Sequence, residues 1–224
     1  MYKNFSDIIL LIGHVTRLTM LIELASGKAI PAGELAKLAK VSPQTASEHL
    51  TKLTNAELIS VEKWGKHRYY KIHDEKVINA IKALSILAPP IQSNSLKETT
   101  KKESLYYART CYGHIAGNIG VEITDALVEN SYIYDNDEFY ILTNNGKKWL
   151  ENLGLKTTKS KFSKPIPKHI DWTERRYHIA GPIALEIANL FFDYGWIKNS
   201  KINRCIKVTD SGKRAFKNYL NINI

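Results

Sequence analysis

Residues 30–72 read IPAGELAKLAKVSPQTASEHLTKLTNAELISVEKWGKHRYYKI. Leu35, Leu38 and Ala39 fall three and four apart, and so do Ala46, Leu50 and Leu53, which predicts two short helices with one buried stripe each. Between them, Val41 is an apolar turn residue and Ser42 supplies the side-chain oxygen of an N-cap. Pro43 follows at the first helical position, where its missing N–H costs nothing. The second helix is therefore expected to start at Ser42. After the turn Asn55-Ala56-Glu57, β-branched and aromatic residues flank Gly65 on both sides, which predicts a hairpin with Lys63, Lys66, His67 and Arg68 around its tip. Helix, turn, helix and basic hairpin, in that order, make a winged helix-turn-helix.

Away from its buried stripe the second helix carries Gln44, Thr45, Ser47, Glu48, His49, Thr51 and Lys52, with Ser42 at its start. Such side chains reach base edges and phosphates in a major groove, so double-stranded DNA is the expected partner. The basic hairpin would lie along the phosphate backbone or in the minor groove, adding affinity and salt dependence more than sequence choice. For Glu48 and His49 the plainer reading is solvation of the helix or pairing with neighbours. The alternative for the module as a whole is contact with protein, without any operator.

Residues 8–82 resemble an ArsR-type (ArsR/SmtB) transcriptional regulator through His14-Val15-Thr16-Arg17 followed by LTMLIEL, through LAKLAKVSPQTASEHLTKL, and through GKHRYYKI. The resemblance implies a homodimeric repressor whose two recognition helices enter successive major grooves of an inverted repeat. It also implies, for some members, metal sensing through cysteines in the helix before the turn. The matching stretch here, Pro31-Ala32-Gly33-Glu34-Leu35, contains no cysteine, so metal sensing at that position is not expected.

Lys and Arg total 32 against 22 acidic residues, a formal charge of +10 with pI ≈ 9.4. The excess is spread over the chain: 12 basic and 8 acidic groups in residues 1–90, 11 and 9 in 91–170, 9 and 5 in 171–224. A field of that sign speeds encounter with DNA without specifying it. The run Ile8–Ile12 is too short to span a membrane and lacks the flanks of a signal sequence, so it is expected in a first helix that packs in the core or a dimer interface. A cytoplasmic location is expected. Cys111 and Cys205 then fit a reducing compartment, as small buried apolar residues.

At 224 residues the chain is long for one winged helix. We expect a DNA-binding domain over 1–88, a linker over 89–104 marked by Pro89-Pro90 and the polar run QSNSLKETTKKE, and a second domain over 105–224. The second domain contains a repeat, in segments 105–155 and 170–224. HIAGNIGVEITDALVENSYI (114–133) and HIAGPIALEIANLFFDYGWI (178–197) are identical at eight of twenty positions, and LTNNGKK (142–148) then pairs with VTDSGKR (208–214). Each copy predicts a helix, a short hairpin and a second helix, the back half of a winged helix used twice. The overall class expected is α+β, mainly α.

Two such units related by a pseudo-twofold axis would bring His114 and His178 to equivalent positions beside a shared cleft. That cleft would be lined by Arg109, Cys111 and Tyr112 from one copy and by Trp172, Glu174, Arg175, Arg176, Tyr177 from the other, suited to an anionic or aromatic small-molecule effector. The plainer reading is close helix packing at the Ala-Gly pairs, with the arginines bonded to Glu122, Glu186 or Asp171. More loosely, Arg109–Gly117 and Asp171–Gly181 resemble the helix starts RxCYxHxAG and DWxERxxHxAG of a C-terminal extension in a subset of ArsR-type regulators, a likeness that assigns no ligand. A metal-responsive repressor with a non-standard site of His114, His178 and Cys111 is a further alternative; no metal or cofactor is assigned. The chain has no glycine-rich phosphate loop, no Gly-x-Ser-x-Gly elbow, no HExxH and no paired CxxC, so an enzyme is not expected.

Overall fold

The computed structural model describes residues 2–64, 67–88, 96–157 and 160–224. Contacts divide the chain into two compact units, Met1–Leu87 and Ala88–Ile224.

The first unit runs α1 (Tyr2–Gly13), α2 (Val15–Leu24), β1 (Ile30–Pro31), α3 (Ala32–Leu38), α4 (Pro43–Asn55), β2 (Ile59–Trp64), β3 (His67–Ile72) and α5 (Glu75–Ser85). Its antiparallel sheet has the order β1-β3-β2. The start of α4 follows from two adjacent residues. Ser42 Oγ accepts from Thr45 N at 3.1 Å, and Pro43 occupies the first helical position. Ala46, Leu50 and Leu53 of α4, Met20, Leu21 and Leu24 of α2 and Leu35 of α3 are all buried where these helices pack on one another and on the sheet, so three helices and the sheet share one core. Along α3 the buried pair is Leu35 and Ala36, whereas Leu38 and Ala39, expected on the same stripe, are half-buried at the end of this seven-residue helix.

The second unit is richer in strand than the repeat predicts. It contains α6 (Leu96–Tyr107), β4 (Arg109–Cys111), β5 (His114–Ala116), α7 (Asn118–Glu129), β6 (Ile133–Asp135), β7 (Phe139–Leu142), α8 (Asn144–Asn152), β8 (Ile166–Ile170), β9 (Tyr177–Ile179), α9 (Gly181–Asp193), β10 (Ile197–Asn199), β11 (Ile206–Val208) and α10 (Asp210–Leu220). The strands β6-β7-β8-β9 form one antiparallel sheet. The hairpin β4–β5 is joined to the β10–β11 side by an Arg109–Cys205 bridge and by bonds from Thr110 N to Arg204 O (2.8 Å) and Ile206 N to Ala108 O (3.1 Å). Helices do not begin at His114 and His178. These residues lie in strands, and α7 and α9 start only at Asn118 and Gly181.

One further departure from expectation concerns the linker, whereas the corners of the repeat follow it. The linker expected over 89–104 is helical from Leu96 on, because Leu, Lys and Glu are good helix formers and Leu105 and Tyr106 half-bury at the C-terminal end of α6. Residues 89–95 lie outside the described residues. The Thr-x-x-Gly corners behave alike in both halves: Thr143 Oγ1 accepts from Gly146 N and Thr209 Oγ1 from Gly212 N, each at 3.0 Å, capping α8 and α10. A Cβ on Gly146 or Gly212 would stand 2.0 Å from the carbonyl oxygen of Tyr132 or Trp196, so only glycine fits. The core of this unit gathers Ile119, Ile123, Leu127, Leu150, Ile183, Ile187, Phe191 and Phe216.

Candidate functional site

Two places hold the residues singled out by sequence. The first is the outward face of α4. Gln44, Ser47, Glu48, Thr51 and Lys52 are exposed along it, while Ala46, Leu50 and Leu53 face the core. Ser42 and Thr45 belong to the cap, their hydroxyls 2.9 Å apart, so they fix where the helix starts. His49 turns back toward α2. Its ring centroid is 4.6 Å from that of His14, and its Nδ1 lies 3.5 Å from Arg17 Nη1. Burial and the neighbouring His14, Arg17 and Lys52 push the His49 pKa down.

Arg17 itself donates to Leu10 O at 2.8 Å and to Leu11 O at 2.5 Å, closing the C-terminal end of α1. On the hairpin, Lys63 and Arg68 are opposite one another in the β2–β3 ladder and both are exposed. Glu62 pairs with Lys71 on the same ladder. Gly65, Lys66 and the His67 side chain lie outside the described residues.

The second place is the centre of the second unit. Cys111, His114, His169 and His178 are buried, and their ligand-type atoms all lie within 4.8 Å of one another. His114 Nε2 and His178 Nε2 are 3.3 Å apart. Sequence reasoning paired these two histidines but missed His169. It lies in β8 directly opposite His178 in β9, a register that becomes visible only if Ile166–Ile170 is read as a strand.

Beside the histidines sits a buried ion pair. Arg109 is 1% exposed and Asp171 0%. Arg109 Nη2 donates to Asp171 Oδ1 at 2.6 Å, and its Nη1 donates to Leu105 O at 2.8 Å and to Thr173 Oγ1 at 3.1 Å. The guanidinium also lies 4.8 Å over the Trp172 ring. Asp171 accepts from Thr173 N (2.9 Å), Thr173 Oγ1 (2.7 Å) and, through Oδ2, from Gly117 N (2.7 Å), so one carboxylate ties β8 to the start of α7. Its Oδ2 is 3.6 Å from His178 Nδ1.

Burial alone would raise the Asp171 carboxyl, but Arg109, His178 and the bonds from Thr173 and Gly117 outweigh it and hold it well below the usual carboxylate range. The sign follows directly. A depressed folded pKa gives stability that is complete above the unfolded value of about 4 and is lost as pH falls below it toward the folded value. Urea unfolding measured from pH 7 to pH 3 should therefore show the wild type losing more stability than Asp171→Ala below about pH 4, and the two running parallel above about pH 5.

The other residues expected around a shared cleft are distributed differently. Arg176 pairs with Asp125 through two 2.8 Å contacts at the surface, Arg175 and Tyr177 are exposed, and Tyr112 is half-buried in the β4–β5 turn. The cavity lined by Ile115, Gly120, Ile123, Ile179, Ala184 and Ile187 measures about 10 Å³ and is apolar, against several hundred Å³ for a small-molecule site. No single helix among the described residues is long and apolar enough to cross a membrane.

A family model described as a helix-turn-helix domain matches residues 12–62. The chain is 39% identical over 226 residues to the uncharacterized HTH-type transcriptional regulator YdfF of Bacillus subtilis (strain 168), with 100% of both chains covered. Among solved structures, reduced HlyU from Vibrio cholerae N16961 matches at 22% identity and TM-score 0.35, over 38% of this chain and 90% of its own. NolR from Sinorhizobium fredii matches at 24% identity and TM-score 0.36, over 38% and 85%.

Proposed function

Because the chain belongs to the family of HTH-type transcriptional regulators, we propose that it is a sequence-specific repressor of the ArsR type, binding an inverted-repeat operator as a homodimer. The observation that carries this reading is the face of α4: five polar side chains exposed in a row on a helix whose start is fixed by Ser42 and Pro43. Gln44 and Ser47 near its N-terminal end are the base readers, and Lys52 is a phosphate contact. Lys63 and Arg68 on the hairpin are sequence-independent phosphate contacts, with Lys66 and His67 beside them in the chain.

Pairing of two chains is supported by α1 and the start of α2, where Phe5, Leu10 and Val15 are 66%, 71% and 74% exposed. Large apolar side chains left in water on these two helices suit burial against a second copy. We read residues 1–88 as the DNA-binding domain and 105–224 as a domain for sensing or dimerisation, built from two half winged-helix units. The like-for-like caps at Thr143 and Thr209 support the repeat. An effector acting on the second domain would change the spacing of the two α4 helices and so the operator affinity.

The experiment is a salt series. Lys63→Ala with Arg68→Ala should weaken binding to operator and to random DNA by similar factors, and lower the slope of log K against log salt by about 1 for each phosphate no longer neutralised. Affinity and slope unchanged in the double variant would contradict a role for the hairpin in binding DNA.

A further inference from the structure

Cys111, His114, His169 and His178 close on one point from two hairpins, and we propose that they form a tetrahedral zinc site. Cys111 stands opposite His114 in the β4–β5 ladder, and His169 opposite His178 in β8–β9. Directly opposed residues project to the same face of a ladder, so each hairpin presents two donors together. The β4–β5 turn that makes this possible is two residues long, Tyr112-Gly113, with φ of 53° and 86°. Two left-handed residues make the tight turn that lets a hairpin close on its first pair.

The distances suit the ion. Tetrahedral zinc with bonds of about 2.0–2.1 Å to nitrogen sets two imidazole nitrogens about 3.3–3.4 Å apart. His114 Nε2 and His178 Nε2 are at 3.3 Å already. No separation in the set exceeds 4.8 Å, so a closure of at most about 1.5 Å reaches the same geometry. A hydrogen bond between two imidazoles explains the single 3.3 Å distance. It does not explain why a thiol and a third imidazole converge on the same buried point.

The surroundings supply what a ligating histidine needs. Asp171 Oδ2 lies 3.6 Å from His178 Nδ1, so a carboxylate stands behind one imidazole of the cluster, where a shorter contact on metal binding would complete the carboxylate–histidine–metal arrangement. Arg109, Gly117 N and Thr173 in turn hold that carboxylate in place. One thiolate with three imidazoles selects zinc over magnesium or calcium. Four protein donors leave no open position, so the site is structural or regulatory and not hydrolytic. On binding, the Cys111 thiol gives its proton to solvent and the thiolate offsets part of the ion's charge. The site lies wholly within the second unit and does not depend on how the first unit reads DNA.

The test uses the full chain, reduced and stripped with a chelator, titrated first with cobalt(II) and then with zinc(II). The expected result is saturation at one cobalt per chain with tetrahedral d–d bands and a thiolate-to-cobalt charge-transfer band. Zinc should bleach both and raise the melting temperature. Cys111→Ser should remove the charge-transfer band, and His169→Gln should weaken binding by at least about tenfold. Cys205→Ser, outside the cluster, should leave the spectrum unchanged. Circular dichroism of the metal-free variants checks folding; if Cys111→Ser does not fold, His169→Gln and the wild-type titration still decide. A folded wild type that gives no stoichiometric cobalt spectrum overturns the proposal, and so does binding that survives both substitutions undiminished.

Discussion

Replacing Asp171 with alanine is expected to destabilise the protein by about 3–5 kcal/mol, the cost of removing one partner from a buried ion pair. The reason is what remains. Arg109, 1% exposed, would keep its charge inside the second unit with only Leu105 O and Thr173 Oγ1 as neutral acceptors. The Gly117 N–H at the start of α7 would lose its acceptor as well. Arg109→Ala should cost a similar amount, because it leaves the carboxylate buried with its N–H donors but without the guanidinium that neutralises it. The two losses should not add. In a double-mutant cycle the Arg109→Ala/Asp171→Ala variant should be less damaged than the sum of the single variants, since neither charge is then stranded. Glu129→Ala, at an exposed helix position, serves as the control and should stay within about 0.5 kcal/mol of wild type. Urea unfolding at pH 7 reads all four. An Asp171→Ala loss no larger than that of Glu129→Ala would show that the pair does not hold the second unit together.

In the sequence that ion pair is legible only as one of three acidic partners, Glu122, Glu186 and Asp171, open to the arginines. In the first unit the second helix and the hairpin are specified by neighbours in the chain: Ser42 and Pro43 open α4, the three-and-four spacing of Ala46, Leu50 and Leu53 sets its buried face, and β2 pairs with the adjacent β3. Local signals suffice there. In the second unit the decisive contacts join residues far apart, as with Arg109 to Asp171, β7 to β8, and Arg109 to Cys205. The strands β5 and β9, which hold His114 and His178, are three residues long and run into apolar helices, so Ile115 and Ile179 extend the helical pattern of Ile119 and Ile183 and hide the break before each helix. Repetition put His114 beside His178. It could not disclose His169, which has no counterpart in the aligned segments and enters the cluster only through strand register. The arginines expected to face a ligand were separated for an electrostatic reason: Arg109 is neutralised by Asp171 and Arg176 by Asp125.

The other large effect is expected on α4. Gln44 and Ser47 are exposed at its N-terminal end, one turn apart, and are held by a cap rather than by packing, so alanine at either removes a side chain without disturbing Ala46, Leu50 or Leu53. Removing a side chain that reads a base edge costs about 1–3 kcal/mol on the preferred site and little on random DNA. Gln44→Ala with Ser47→Ala should therefore weaken operator binding by about 10²-fold or more while changing random-DNA binding by less than about threefold. This pattern differs from that of the hairpin variants, which should bind both kinds of DNA more weakly. His49→Ala should act through folding instead, because its ring packs on His14 and contacts Arg17.

The most direct test captures sheared genomic fragments on the full-length protein at moderate salt and compares the sequences retained by the wild type and by Gln44→Ala/Ser47→Ala. The wild type is expected to enrich fragments sharing an inverted repeat, with half-sites about one helical turn apart, and the double variant to lose this enrichment while still retaining DNA non-specifically. Retention of the same fragments by both proteins, or no shared repeat among those held by the wild type, would contradict sequence readout by α4.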